Sequence, residues 1–292
     1  MKNLKKNLPN IVLILIFLVG AGIFAYPTVA DQWNSYHQSA AIASYEEQME
    51  TTSEEDFTQA WADAQAYNDS ITENTFTTDA FDEEEKNLRE TPYWNVLNLS
   101  DTGIMGYISI PEIKQKLPIY HGTSDSVLQI GAGHLSGTKL PIGGSGTHSV
   151  IAGHTGLPSA KLFTDLDKLE VGDKFYIHVL NKTLAYKVDQ ILPMVDKDDT
   201  QTLSNALQNV EGQDYVTLFT CTPYGVNSHR LLVRGTRVKY HGEDEDKVSD
   251  ETMLESIQEY YMLYAILVIA IILLVVIIIQ VIKWKKRKAK EA

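Results

Sequence analysis

Two long apolar runs lie near the two ends of the 292-residue chain, and the stretch between them is mostly polar. The second run, Tyr261 to Ile279, is nineteen residues without a charge. As a helix it nearly covers the ~30 Å hydrocarbon core of a bilayer. Aromatic residues around its ends, such as Tyr260 and Trp284, favour the boundary between water and lipid. The pattern predicts a transmembrane helix here.

The first run, Ile11 to Tyr26, is shorter and contains Gly20 and Gly22. Lysines precede it and a small residue, Ala30, follows it, so it fits either a retained span or a cleaved signal peptide. We favour the retained span. Both interpretations place the segment after Ala30 outside the membrane.

The charges at the two ends indicate a topology. Three lysines precede the first run and six cationic residues follow the second. Positive flanks mark the cytoplasmic side, so we expect both termini in the cytoplasm and the middle of the chain outside the cell membrane. The chain has 38 acidic against 25 basic residues, and the middle is therefore strongly acidic. Such a surface repels phosphate backbones, so we expect no nucleic-acid partner, and we interpret the basic tail as a topology signal or as a contact with the headgroups of membrane lipids.

The segment from Asp31 to about Arg89 contains no glycine and no proline and is rich in helix-forming residues. Ser53, followed by Asp56, resembles a helix start. Apolar residues then recur at helical spacing, at Phe57, Trp61, Ala64 and Tyr67. The pattern predicts an amphipathic helical prelude whose apolar stripe covers another surface.

From Gly103 onward the pattern changes to short β-prone runs broken by glycine, proline and asparagine, which predicts a single closed barrel or sandwich. Asn181-Lys182-Thr183 is predicted to be a hairpin turn. Short helices are expected at Ser126 to Ile130 and Lys161 to Leu169. The predicted strands are Gly106–Pro111, Lys116–Tyr120, Ser149–Ala152, Lys174–Leu180, Leu184–Ile191, Tyr215–Thr220 and Leu231–Tyr240.

Cys221 is the single cysteine, so an intramolecular disulfide is excluded. Taken alone it fits a small buried hydrophobe. It ends a β run before Thr222-Pro223, however, where scaffolds present reactive groups. Arg230 begins the next β run nine residues later, so a loop can return the chain and place the two side by side. The guanidinium would lower the pKa of the thiol and stabilise an oxyanion.

His154 is the candidate for handling protons, because it follows a β run and has glycines nearby on both sides. His229 adjoins Arg230 and would point to the opposite face of an extended strand. The remaining histidines have no tight ligand spacing, so we expect no metal site.

The stretch Thr217-Leu218-Phe219-Thr220-Cys221 matches the TLxTC signature of sortases. His154 and Arg230 stand where that family has its catalytic histidine and arginine. Further stretches also resemble the family, among them Gly106-Tyr-Ile-Ser-Ile-Pro and Leu117-Pro-Ile-Tyr-His-Gly-Thr. Over Asp31 to Tyr240 and the C-terminal apolar run, the chain resembles the class C, pilus-building sortases of Gram-positive bacteria.

The resemblance implies a mainly β fold, a closed eight-stranded sortase-type β-barrel with short helices, preceded by a helical region with a lid and flanked by terminal transmembrane helices. The expected organisation is a cytoplasmic N-terminus (1–10), a transmembrane helix or signal anchor (11–30), an extracellular helical prelude with a lid (31–100), the catalytic barrel (101–240), an acidic stalk (241–259), a transmembrane helix (260–282) and a basic cytoplasmic tail (283–292).

The resemblance also implies a transpeptidase. Cys221 would attack the Thr-Gly bond of an LPxTG-like sorting signal on a pilin or surface protein and form a thioester. His154 would protonate the leaving amine and deprotonate the incoming one, which in pilus-building relatives is a lysine amine of another pilin. Arg230 would hold the signal and the developing negative charge. No metal and no organic cofactor is implied.

Class C relatives often carry a lid with an Asp-Pro-aromatic motif that occupies the active site. This chain has Asp79-Ala80-Phe81, with alanine in place of the proline. The resemblance implies that Asp79 pairs with Arg230 and Phe81 covers Cys221. Without the fixed φ of proline we expect a looser lid and weaker autoinhibition. The alternative is that Thr77 to Asp82 is merely an exposed acidic loop.

Three other functions compete with this interpretation. A housekeeping sortase would share the three residues but attach proteins to peptidoglycan. A papain-like cysteine protease would need a helix-borne cysteine and an Asn or Asp partner, whereas Cys221 ends a β run. A membrane-anchored adhesin or receptor ectodomain without enzymatic activity is favoured if Cys221 is buried and inert.

Overall fold

The computed structural model describes residues 2–73, 79–81, 88–242 and 261–291. The chain divides into two compact units, one made of Met1–Ala30 with Ser249–Ala292 and the other of Asp31–Val248. Most of the predicted acidic stalk, from residue 243 on, lies outside the described residues.

Strands of the second unit close into a barrel, which confirms the predicted eight-stranded architecture. The order around the barrel is β1-β2-β3-β4-β7-β8-β6-β5, with parallel pairing of β2 with β3 and of β4 with β7 and antiparallel pairing elsewhere. The strand missed by sequence analysis is β3, which is only three residues long. The bounds are β1 Ile104–Ile110, β2 Gln115–His121, β3 Ala132–His134, β4 Thr147–Ala152, β5 Lys174–Val179, β6 Lys182–Asp196, β7 Asp214–Thr222 and β8 His229–Val238.

Both faces of the strands that carry the candidate site are covered. On β7, Val216 and Leu218 belong to the main core cluster, which strands from all around the barrel share. Phe219 belongs instead to a second apolar cluster, together with Leu232 of β8. Because side chains alternate between the faces of a strand, the second cluster lies on the opposite face from the main core.

The described part of the prelude is mostly helical, as predicted. Helix α1 covers Lys2–Thr51 and runs without a break past residue 30, and α2 covers Glu54–Ser70. Ser53 caps α2, because its side chain accepts a hydrogen bond from the N–H of Asp56 at 3.1 Å. The predicted stripe of α2 faces the main core. Phe57 and Ala64 are buried in this core, and the larger rings of Trp61 and Tyr67 pack against it.

Short helices follow in α3, Pro92–Asn95, α4, Asp125–Leu128, and α5, Thr200–Leu207. The prediction of a helix at Lys161 to Leu169 is wrong except for a 3-10 turn at Leu166–Lys168. Leu162 has a φ of +41°, which no right-handed helix accommodates. The N–H of Phe163 instead donates to the carbonyl of His154 at 3.0 Å, so the segment folds back as a loop.

The predicted hairpin joins β5 and β6, but its turn is earlier than expected. Val179 pairs with Lys182, so Leu180 and Asn181 form the turn and the next two residues already belong to β6. Leu180 has a φ of +50°, as the first position of a tight hairpin turn requires.

The first unit contains the beginning of α1 and helix α6, Tyr261–Glu291. Among the described residues, one helical segment, Val12–Thr51, is long and apolar enough to cross a membrane by length and composition. Helix α6 has a shorter apolar segment, Tyr264–Gln280. The span at the C-terminal end stays a prediction.

Asn68 joins α2 to the barrel domain through a buried two-way amide contact. Its Oδ1 accepts a hydrogen bond from the N–H of Leu140 at 2.7 Å, and its Nδ2 donates to the Leu140 carbonyl at 3.2 Å. Asn68 is 1% exposed and Leu140 is fully buried. The amide therefore satisfies two backbone groups that have no access to water.

Replacing this amide is expected to destabilise the protein. Asn68→Ala leaves two buried backbone groups without this partner, which costs about 2 kcal/mol and lowers the thermal midpoint by roughly 4–8 °C. The measurement is thermal unfolding of the purified full chain. Gln65→Ala is the control, because Gln65 is exposed on the same helix and its amide donates to Asp69, one turn further along α2. Equal midpoints for the two variants would contradict this role of Asn68.

Several buried histidines are held neutral by the barrel. Nε2–H of His134 donates to the Lys139 carbonyl at 2.9 Å, so Nδ1 accepts from the Tyr93 hydroxyl at 2.8 Å. Burial lowers the pKa of His134 to about 4. Burial likewise lowers the pKa values of His148 and His178 to about 4 each. The unfolded chain takes up protons at these sites near pH 6.5, before the folded chain does.

Stability is therefore expected to fall as the pH drops from about 6.5 toward about 4, because only the unfolded state gains these protons in that window. The thermal midpoint measured between pH 7.5 and 4.5 should show this decline. His178→Gln removes one such group and should make the decline shallower. His37→Gln, on the exposed part of α1, is the control and should follow the wild type. A His178→Gln curve parallel to the wild-type curve would contradict the linkage.

Candidate active site

Cys221 on β7 and Arg230 on β8 are direct partners in the antiparallel ladder. Opposite residues in such a ladder point to the same face, so the expectation that the two lie side by side is confirmed. Cys221 is the next-to-last residue of β7, not its end, since Thr222 still pairs with His229. It is also 8% exposed. The thiol thus belongs to a fixed strand near a loop.

His154 follows β4, which runs parallel to β7. Ala152 pairs with Phe219 in that ladder. The pairing continues past the strand end, because the N–H of Gly153 donates to the Phe219 carbonyl at 3.0 Å and Thr220 Oγ1 donates to the Gly153 carbonyl at 2.7 Å. Extending the register by two residues brings His154 to the row of Cys221.

The three predicted residues share one face of the sheet. Ala152, Phe219 and Leu232 all belong to the second apolar cluster. Cys221 lies two residues after Phe219 on β7, and Arg230 lies two residues before Leu232 on β8. His154 lies two residues after Ala152, just beyond the end of β4, where the backbone bonds to β7 continue. Because the side-chain period of a strand is two, all three point to the face of that cluster. The structure therefore brings the predicted residues together at one edge of this face.

The guanidinium of Arg230 is oriented by the loop that precedes β8. Its Nη1 donates to the carbonyls of Asn227 and His229, both at 2.9 Å. Asn227 has a φ of +59°, and its N–H donates to the Pro223 carbonyl at 3.0 Å. This left-handed turn directs the Asn227 carbonyl at the cation. Neither carbonyl has a signature in the sequence, so these contacts were missed.

The segment Asp79-Ala80-Phe81 lies on this site. The Asp79 carboxylate forms a buried ion pair with Nη2 of Arg230, and the two side chains are 4% and 5% exposed. Ala80 is 1% exposed in the second apolar cluster. The expected pairing of Asp79 with Arg230 is present. The alternative prediction of an exposed acidic loop is wrong for residues 79–81. The other residues of Thr77 to Asp82 lie outside those that the structure describes.

The Phe81 ring contacts three residues of the site. Its centroid is 5.2 Å from that of His154 and 6.0 Å from that of Phe219. The guanidinium carbon of Arg230 lies 5.3 Å from the ring centre. A ring above a guanidinium gains cation–π attraction, which adds to its apolar packing. Phe81 therefore lies against the neighbours of Cys221.

The charge state of His154 follows from its surroundings. Burial lowers the pKa of His154, and the Asp125 carboxylate of α4 opposes this shift. The ring is therefore mostly neutral at pH 7, since the ordinary pKa of histidine is about 6.5. A neutral imidazole beside a thiol is able to accept a proton and return it later. Asp125 carried no sequence pattern linking it to His154 and was not predicted.

The other histidines have structural contacts. The two ring nitrogens of His121 lie 2.9 Å from the Gly103 carbonyl and 2.8 Å from the Val96 carbonyl, so the ring faces the backbone. His229 pairs with the Ser228 hydroxyl at 2.8 Å. In the part of the chain that the structure describes, no group of three or more His, Cys, Asp or Glu residues is arranged to hold a metal ion.

Comparison with known proteins identifies the fold and its family. The sortase domain family matches residues 108–238. The structure of sortase C-1 from Streptococcus pneumoniae is 45% identical, with a TM-score of 0.62, and the match covers 69% of this chain and 100% of that one. The pilus-related sortase C of Group B Streptococcus is 47% identical with a TM-score of 0.60, over 68% of this chain and 97% of that one. Sortase A of Bacillus anthracis is 28% identical over 141 residues, which are 48% of this chain and 63% of that protein.

A barrel with these three residues on one face, and this level of identity, defines the class: the chain belongs to the sortase family, whose members are transpeptidases. Within the family its similarity is to the pilus-related class C group.

Replacing the two side chains that hold residues 79–81 on the site is expected to expose the thiol of Cys221. In Asp79→Ala/Phe81→Ala the closed arrangement loses a buried ion pair and a packed ring. This loss exceeds about 1.4 kcal/mol, so alkylation of Cys221 by iodoacetamide should accelerate at least about tenfold. The rate is measured by mass spectrometry on the full chain. Asp198→Ala is the control, because its carboxylate is exposed and pairs with the neighbouring Lys197. An unchanged rate in the double variant would show that residues 79–81 do not restrict access.

Proposed function

We propose that this protein is a membrane-anchored sortase that cleaves an LPxTG-like sorting signal between Thr and Gly and transfers the acyl group to a lysine amine of a pilin subunit. The observation that carries the proposal is the pairing of Cys221 with Arg230, with His154 in the same row and on the same face. A nucleophile, a proton carrier and a fixed cation are the three groups that acyl transfer through a thioester requires.

The first half of the reaction is acylation. His154 takes the proton of the Cys221 thiol, the resulting thiolate attacks the threonine carbonyl, and Arg230 stabilises the oxyanion that forms. The C–N bond to glycine then breaks, and His154 supplies the proton with which the amine leaves. The product is a thioester on Cys221 and a free C-terminal fragment.

The second half transfers the acyl group. His154 accepts a proton from the incoming lysine amine, whose nitrogen attacks the thioester carbonyl. The C–S bond breaks, the sulfur leaves as thiolate, and an isopeptide bond joins the two proteins. Attack by water at the same step would give hydrolysis.

Substrate entry requires the segment 79–81 to move. Asp79 occupies Nη2 of Arg230, the donor that the oxyanion would use, and Phe81 packs on His154. Lid opening is therefore proposed as a gating step before acylation. No cofactor takes part in the proposed reaction.

Similarity supports a pilin lysine as the acceptor. The chain is 45% and 47% identical to the two class C structures but 28% identical to a sortase A. The match to that sortase A spans 63% of its length. Attachment to peptidoglycan is the second candidate reaction, because the chain also resembles this sortase outside class C. A non-enzymatic adhesin or receptor would instead leave Cys221 inert.

Residues 101–240 are proposed as the catalytic barrel outside the cell membrane of a Gram-positive bacterium, with both termini cytoplasmic. The apolar run at the start of the helical segment Val12–Thr51 supports the anchor at the N-terminal end. The cationic residues at the two ends support the orientation and contact with lipid headgroups.

The test uses the full chain in detergent with an LPxTG peptide and a lysine-containing pilin fragment. Mass spectrometry should detect a thioester on Cys221 and then an isopeptide product, and both should vanish in Cys221→Ala. Arg230→Lys keeps the positive charge but loses the planar guanidinium, whose N–H donors have fixed directions. We therefore expect kcat to fall by about 10²- to 10³-fold.

The acceptor distinguishes the two sortase functions. Preferred transfer to the pilin lysine supports pilus assembly, and preferred transfer to a peptidoglycan-type amine supports the housekeeping function. Absence of an adduct in the wild type and in the Asp79→Ala/Phe81→Ala variant would contradict the enzymatic proposal.

A further inference from the structure

Three polar side chains of α1 contact the loops around His154. Asp31, Asn34 and Gln38 are spaced i, i+3 and i+7, so they form one stripe along the helix. Asp31 Oδ1 accepts the N–H of Lys161 at 2.7 Å, and Asn34 Nδ2 donates to the Ser159 carbonyl at 2.6 Å. All of these contacts go to backbone atoms, which fix the path of a loop rather than one side chain.

The first two contacts fall on the loop that begins with His154. The Phe163 N–H donates to the His154 carbonyl at 3.0 Å, and the Thr164 N–H donates to the Lys161 carbonyl at 2.8 Å. Phe163 is fully buried, so the base of the loop is secured by the core. The tip, Ser159 to Lys161, is secured by α1. The path of the chain at His154 thus depends on contacts at both places.

The third contact reaches the other segment near His154. Gln38 Nε2 donates to the Ile130 carbonyl at 3.0 Å. Ile130 follows α4, whose Asp125 carboxylate acts electrostatically on His154. One stripe of α1 therefore contacts the loop that begins with His154 and the backbone just after α4.

Docking of α1 onto the barrel has its own contacts further along the helix. Ile42 and Tyr45 are buried in a cluster with Ile104 and Tyr107 of β1. The Tyr45 hydroxyl also accepts the N–H of Leu180 at 2.8 Å. Asp31 and Asn34 add no apolar burial of this kind, since both are only half-buried. Their bonds are thus separable from the stability of the docked helix.

We infer that Asp31 and Asn34 are positioning residues for the transfer reaction: their bonds to the Ser159–Lys161 backbone hold the His154 loop in register with Cys221 and Arg230. This inference rests on the proposed function, because it assigns the geometry a role in acyl transfer.

The kinetic test uses the full chain in detergent with the LPxTG peptide and the pilin lysine fragment. The double variant Asp31→Ala/Asn34→Ala should lower kcat by about tenfold or more, because small displacements of a proton carrier are costly, while KM stays within about twofold. Asp31→Asn keeps the acceptor oxygen and should retain most of kcat. Asn34→Asp keeps the size but loses the donor and should behave like Asn34→Ala. Ser35→Ala, exposed on the same turn, is the matched control.

A second measurement does not depend on activity. Hydrogen exchange followed by mass spectrometry should show faster exchange in peptides covering residues 154–163 of the double variant than of the wild type, with the thermal midpoint changed by less than about 3 °C. If the wild type forms no thioester but exchange still rises in the variant, the proposed function fails and the holding of the loop stands. Unchanged exchange and unchanged kcat would overturn the inference. A kcat loss that Asp31→Asn does not restore, or one that merely follows a lowered midpoint, would also overturn it.

Discussion

The pairing register of β4, β7 and β8 is the constraint on which the candidate site depends. A slip of one residue between β7 and β8 would turn Cys221 and Arg230 to opposite faces. The barrel prevents this slip, because every strand in it is paired on both sides and the inward positions carry fully buried side chains such as Leu218 and Val233. Residues with no chemical role therefore hold the reactive groups in one row.

Arg230 is the residue at which stability and the proposed activity meet. A guanidinium withdrawn from water needs compensation of several kcal/mol, which two carbonyls and the Asp79 carboxylate provide here. A substrate that used Nη2 would have to replace Asp79. Ala80 is buried in the second apolar cluster, so the closed segment keeps its contacts without a proline at this position. The missing proline acts mainly on the open state, in which the released segment has more backbone conformations. Weaker autoinhibition stays a prediction.

The helices before the barrel are joined to it through buried polar contacts as well as apolar packing. Asn68 binds the backbone of Leu140, and the Tyr93 hydroxyl binds His134. Such contacts are directional and costly to leave unmade, so they set the position of each helix on the barrel. Residues 31–248 accordingly form one compact unit, in which the prelude and the barrel share a core. The prelude thereby has the means to influence the loops around His154.

Much of this arrangement was predictable from local pattern. Strand alternation, the Ser53 cap, the stripe of α2 and the TLxTC stretch all depend on residues close together in the chain, and the structure contains each of them. Patterns failed where distant contacts decide the conformation, as at Leu162, where the loop folds back to His154 instead of forming a helix. Local patterns also gave no sign that the Asn227 carbonyl accepts a hydrogen bond from Arg230, or that the Asp125 carboxylate acts on the pKa of His154.

The sequence by itself therefore determined which residues are the candidates for the chemistry and which segments form most of the strands and helices, because residue type and periodicity are local properties. The pairing of Asp79 with Arg230 was implied only by resemblance to a family, whereas the contacts of Asp31 and Asn34 with the His154 loop were decided by the tertiary structure alone. These contacts join positions more than a hundred residues apart, and their existence depends on barrel closure and on the docking of α1, to which no local pattern corresponds.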